Sequence, residues 1–163
     1  MNRPALLFIS ALSITVTAFA QATSPTITAD AASKIIDGCV AHAKAKKQSH
    51  AIAVSDEGGH LIAFLRMDGN ASGIGDFAIQ KAEAVASWRF STAQMAAAAA
   101  ETPGFSDAPH VVIVPGGLPV FSADGRFLGA VGVSGEAPKD DSECAEAGIK
   151  AAGLSAERVQ HGS

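Results

Sequence analysis

The sequence predicts an α+β fold, with one five-stranded antiparallel sheet covered by helices. Three observations lead there. Apolar residues recur at helical spacing near residues 28–47, 75–101 and 140–153. Short runs rich in branched residues lie between them in two antiparallel groups. The strand–helix–strand alternation of a parallel sheet is missing, and so is a GxGxxG opening a helix.

The chain begins with a short positive start, Met1-Asn2-Arg3, and an uncharged, largely apolar run from Ala5 to Phe19. Ala18-Phe19-Ala20 and Ala20-Gln21-Ala22 are both small-x-small sites. This is the pattern of a secretory signal peptide over residues 1–22. The run is shorter than the roughly 20 residues a spanning helix needs. Residues 23–163 are then one domain, with a periplasmic or secreted location expected. Removing Arg3 takes the formal charge from −4 to −5. That mild acidity argues against nucleic acid as a partner.

Thr28 is placed to cap the first helix, and Ala32, Ile35, Ile36, Cys39, Val40 and Ala43 form its apolar stripe. The basic cluster Lys44, Lys46 and Lys47 suits the helix C-terminus. Residues 51–55 and 61–67 form a hairpin across Asp56-Glu57-Gly58-Gly59. From about Gly75 a helix carries Phe77, Ile79, Ala82, Val85, Ala86 and Trp88. A second, alanine-rich piece runs from Thr92 to Glu101 and stops at Thr102-Pro103-Gly104. Strands are expected at 111–114, 118–122 and 127–133, the last two joined through Asp124-Gly125. Asp140-Asp141 is placed to cap the last helix, and Gly153 to end it. Between Val114 and Glu136 the chain is unusually rich in glycine, which marks close approach by a helix, a subunit or a ligand.

Cys39 and Cys144 fall in the first and last helices. An exported chain allows a disulfide, and two buried thiols are the alternative; compartment alone leaves both open.

Residues 54–69 (VSDEGGHLIAFLRMDG), Lys81-Ala82, residues 115–120 (PGGLPV), residues 129–135 (GAVGVSG) and residues 144–148 (CAEAG) together resemble the GlcG/HbpS family, also called the haem-degrading or PduO C-terminal-like family. The likeness covers essentially the whole mature chain. It implies a profilin-like α-β-α arrangement, assembly into homo-oligomers, and binding of haem or a related tetrapyrrole. For exported members it implies haem or iron handling or redox sensing. Apart from the resemblance, a membrane sensor or transporter is the partner expected of a cofactor-free interaction module. The chain departs from the family where similar sequences carry KAxT: here Ala84 stands in place of the threonine.

With no tyrosine in the chain, an iron ligand is sought among histidines and methionines. His110, before the glycine-rich stretch, and then His60, beside the Gly58-Gly59 turn, are the preferred candidates. His50 is read as ending a loop. Arg66 fits a carboxylate through its planar fork, and Met67 fits an apolar ligand face. Lys81 fits an anion, against a solvated helix face as the plainer reading. Gly116 and Gly117 offer bare backbone N–H groups. The ligand is expected between the sheet and the loop at Arg66. No nucleophile, acid–base pair or metal motif is recognisable. A haem- or small-acid-degrading enzyme and a cofactor-free oligomeric interaction module therefore stand as the alternatives.

Overall fold

The computed structural model describes residues 25–158. The expected export segment and the end of the tail lie outside them. The described chain forms α1 (Ala29–Lys46), β1 (Ala51–Asp56), β2 (Leu61–Arg66), α2 (Ser72–Trp88), α3 (Thr92–Glu101), β3 (Gly117–Phe121), β4 (Phe127–Ser134) and α4 (Pro138–Ala151). The fold is mixed α+β, with four helices and one antiparallel sheet in the order β2-β1-β4-β3.

Local chemistry explains the boundaries. Thr28 Oγ1 accepts the Ala31 N–H at 3.2 Å, and Ser91 with Gln94 closes a capping box on α3. Pro138 opens α4, where its missing N–H costs nothing. The expected acidic cap is displaced: Ala137 is the N-cap, and Asp140 and Asp141 stand in the first turn.

The sheet has four strands, not five. Residues 111–114 join no ladder. Val111 and Val112 instead pack against the cluster that includes Trp88, Phe90 and Phe105, and Trp88 Nε1 holds the Pro109 carbonyl at 3.0 Å. The edge where a fifth strand would add is already engaged. The Gly117 N–H is taken by Thr92 Oγ1 at 2.9 Å, Pro119 has no N–H, and Phe121 exchanges two hydrogen bonds with Ser155.

The helices form two layers around the sheet. Ile52, Val54, Val131 and Val133 face α1 and α4, whereas Ala51 and Ala53 face α2. Alternation along each strand thus puts large side chains on one face and small ones on the other. The small face lets α2 lie very close. A Cβ on Gly132 would stand 2.0 Å from the Ala78 carbonyl oxygen, which explains one glycine of the rich stretch as a seat for a helix.

On the other face α1 and α4 also approach closely. A Cβ on Gly148 would stand 2.4 Å from the Ile35 carbonyl oxygen. Cys39 and Cys144, both fully buried, are joined there by a disulfide with Cα atoms 4.7 Å apart. The bridge spans 105 residues and ties the first helix to the last. Closing so long a loop restricts the unfolded chain, with a stabilisation of about 2–5 kcal/mol.

Candidate functional site

Two groups of charged residues stand out, and they are built differently. The first is sealed inside the protein at one end of the sheet. Lys81, on α2, is 0% exposed. Its ammonium lies 3.1 Å from Asp141 Oδ2 on α4 and donates to the Val133 carbonyl at 2.8 Å. It also sits 4.9 Å from the centre of the Phe77 ring. His50, 0% exposed, places Nδ1 3.1 Å from Asp141 Oδ1, and the Glu136 N–H donates to the same oxygen at 3.1 Å. Burial pushes the Lys81 pKa below its ordinary value, against the opposing pull of Asp141.

These contacts correct two sequence expectations. Lys81 is not on a solvated face, and His50 does more than end a loop. The signal for Lys81 lay in its phase: Ala78, Lys81, Ala82 and Val85 share the buried stripe of α2. Nothing local identified His50, because its partner is 91 residues away. Gly116 completes the enclosure. At φ 126° it occupies backbone space that favours glycine, and a Cβ there would lie 2.7 Å from Lys81 Nζ and 2.5 Å from the Val133 carbonyl oxygen. The cluster joins a helix on one face of the sheet to a helix on the other, so its first effect is to lock the layers together.

The second group is open. A cleft of about 670 Å³ runs along the outer edge of β3. That volume is in the range of about 300–1,000 Å³ usual for small-molecule sites. Phe90, Leu118, Pro119 and Phe121 supply apolar wall, and Arg89 and Arg158 stand in the lining. Arg89 closes α2 in a left-handed conformation, φ 62°, and its guanidinium lies 5.3 Å from the Phe127 ring centre. Arg158 lies 5.5 Å from the Phe121 ring centre, and the two rings meet edge to face at 5.8 Å. Among the described residues neither arginine forms an ion pair. Glu146 and Glu157 occupy the wall shared with a smaller adjoining pocket of about 270 Å³.

The residues selected from sequence are not all gathered in one place. Lys81 and Gly116 meet in the buried cluster, and Gly117 is fixed to Thr92. Arg66 and Met67 lie at the opposite edge of the sheet. The Arg66 guanidinium donates to the Asn70 carbonyl, and Met67 Sδ accepts the His50 N–H at 3.5 Å. His60 is 85% exposed at the β1–β2 turn, with Nδ1 3.2 Å from Asp56 Oδ2. His110 is exposed in a loop at φ 59°. Among the described residues no cluster of three or more His, Cys, Asp or Glu side chains is arranged to hold a metal, and no helix is long and apolar enough to cross a membrane.

The cleft fits part of what a tetrapyrrole requires. Its aromatic and aliphatic wall suits a flat apolar ring, and its arginines suit carboxylates. It presents no imidazole, thiolate, thioether or phenolate for iron. Sequence reasoning missed this cleft because its wall comes from four separate segments, around residues 89–94, 118–121, 146 and 156–158.

Comparison with known proteins gives one consistent relationship. A family model described as haem degrading protein HbpS-like matches residues 27–150. The protein GlcG of Escherichia coli is 35% identical over 114 residues, covering 63% of this chain and 77% of that protein. The crystal structure of a Streptomyces reticuli HbpS double mutant is similar with a TM-score of 0.74 at 29% identity, covering 86% of this chain and 97% of that one. A crystal structure of a PduOC complex with haem has a TM-score of 0.75 at 18% identity, covering 82% and 99%. At that identity the last likeness bears on fold alone.

Proposed function

The chain belongs to the HbpS-like family, and on that premise we propose that it is an exported haem-binding protein acting in haem or iron handling or in redox sensing. Family membership across residues 27–150 is the observation that carries haem binding. The cleft beside β3 supports it with a volume and wall suited to a flat amphipathic molecule. The signal-peptide pattern of residues 1–22 supports export, and so does the Cys39–Cys144 bridge, since such bridges persist in oxidising compartments. Self-association is part of the same proposal. Leu61, Phe64 and Leu65 on β2, the other sheet edge, leave that edge with exposed apolar side chains.

Haem is placed in the β3 cleft, and a seat beside Arg66 and Met67 at the opposite edge is the competing placement. Titrating the purified mature protein with haemin tests the function. A Soret shift saturating at a defined stoichiometry is expected. A response no greater than a non-specific albumin control overturns haem binding. Arg66→Ala separates the two placements, because it leaves affinity unchanged if the β3 cleft is used. His110→Ala and His60→Ala in the same titration test each histidine as an iron ligand.

A further inference from the structure

We propose that the β3 cleft recognises a flat, apolar dicarboxylate through Arg89 and Arg158, and that its affinity comes from the ligand's carboxylates and ring faces rather than from any metal the ring carries. The choice of a tetrapyrrole as the ligand class rests on the haem-binding proposal above. The recognition chemistry rests on the cleft.

The two guanidinium groups flank one aromatic pair. Arg89 lies over Phe127 and Arg158 over Phe121, at 5.3 and 5.5 Å from the ring centres. An arginine on an aromatic face retains the N–H groups at its edge, and that planar fork matches a carboxylate in two parallel hydrogen bonds. Stacking also restrains the side chain before a ligand arrives, which lowers the ordering cost of binding. Neither arginine has an ion-pair partner among the described residues, although Glu146 and Glu157 line the same cleft. Those two acids also line the adjoining pocket, and neither lies within ion-pairing distance of Arg89 or Arg158.

The apolar surface between the arginines favours a ring system over a simple anion. Phe90, Leu118, Pro119 and Phe121 line it. The strand edge is also closed to an extended peptide. Thr92 holds the Gly117 N–H, Pro119 has none, and Ser155 occupies both backbone groups of Phe121. Strand addition needs a row of free donors and acceptors, and this edge offers no free N–H at Gly117, Pro119 or Phe121. A small molecule is therefore the occupant that matches the chemistry.

No lining residue is a conventional ligand for haem iron. Removing the metal should then change affinity little, whereas masking the carboxylates should change it greatly. The test compares haemin, metal-free protoporphyrin and the protoporphyrin dimethyl ester, each titrated into the mature protein and followed by absorbance and intrinsic fluorescence quenching. Haemin and the free acid are expected to bind within about three-fold of each other, and the ester about ten-fold or more weaker, the scale of losing a charge-assisted hydrogen bond. Arg89→Gln and Arg158→Gln are each expected to weaken both free acids about ten-fold and to leave the ester unchanged.

Haemin binding without binding of the metal-free acid overturns the proposal and leaves haem binding standing. So does an ester that binds as tightly as the acid, or a pair of variants that bind like the parent. Failure of all three ligands on the parent protein overturns both. The acid–ester comparison needs no substitution, so it decides the matter even where a variant fails to fold.

Discussion

Lys81 and Arg89 lie two turns apart on and just beyond the same helix, yet the protein treats their charges in opposite ways. Lys81 is turned inward, fully buried, and matched within the chain by Asp141 and the Val133 carbonyl. Arg89 is turned outward onto an aromatic ring and has no carboxylate partner among the described residues. A buried charge must be satisfied by the fold, so its loss is felt first as instability. A stacked, exposed cation remains available, so its loss is felt first as weaker binding. The sealed end of the sheet ties a helix on one face to a helix on the other, and the open edge is where the proposed ligand site lies.

The most severe break in this contrast is Lys81→Met. It leaves Asp141 buried beside His50 without its ammonium, at an expected cost of about 3–5 kcal/mol. Urea unfolding reads that cost, and folded variant should keep the ligand affinity of the parent. Adding Asp141→Asn should recover part of the stability, because the neutral amide removes the uncompensated charge while its oxygen can still accept the Glu136 N–H.

Gly116→Ala is expected to cost less, about 1–3 kcal/mol, through crowding of the Val133 carbonyl and the ammonium at a left-handed position. A neutral result would mean that the loop over Lys81 gives way and that the enclosure is looser than its geometry implies.

The pH dependence sharpens the contrast further. Burial holds the folded-state pKa of Lys81 below its ordinary value of 10.5. Between those two values the unfolded chain keeps a proton that the folded chain has released, so this group makes stability rise with pH across the window. Below both values its contribution is constant. Urea midpoints measured against pH should show the rise in the parent and lose it in Lys81→Met. An identical profile in both proteins would remove Lys81 as its source.

Much of the fold was legible because local rules and burial agree. The stripe of α1, its Thr28 cap and the hairpin between β1 and β2 all follow from spacing and turn residues. The false fifth strand shows where such rules fail. Val111-Val112-Ile113-Val114 has strand composition, but the available sheet edge was already occupied by Thr92 and Ser155, which no local pattern reveals. The sites divide in the same way. Lys81 could be placed from its phase on α2, whereas the Asp141–His50 contact and the four-segment cleft depend on residues brought together only by tertiary packing.

The glycine-rich second half of the sheet proved mainly to be a packing surface, at Gly132 against α2 and at Gly116 over Lys81. Histidine chemistry read from sequence points elsewhere. His60 is engaged with Asp56 at a turn and His110 is exposed on a loop, so neither lines the cleft.

The most direct test of this division of labour is a haemin titration of Arg89→Gln paired with its urea midpoint. Stability is predicted to stay within about 1 kcal/mol of the parent, the scale of the exposed cation–π contact with Phe127 that the substitution removes. Affinity is predicted to fall about ten-fold. Affinity equal to the parent's, or a loss of binding that merely follows a loss of folding, would contradict it.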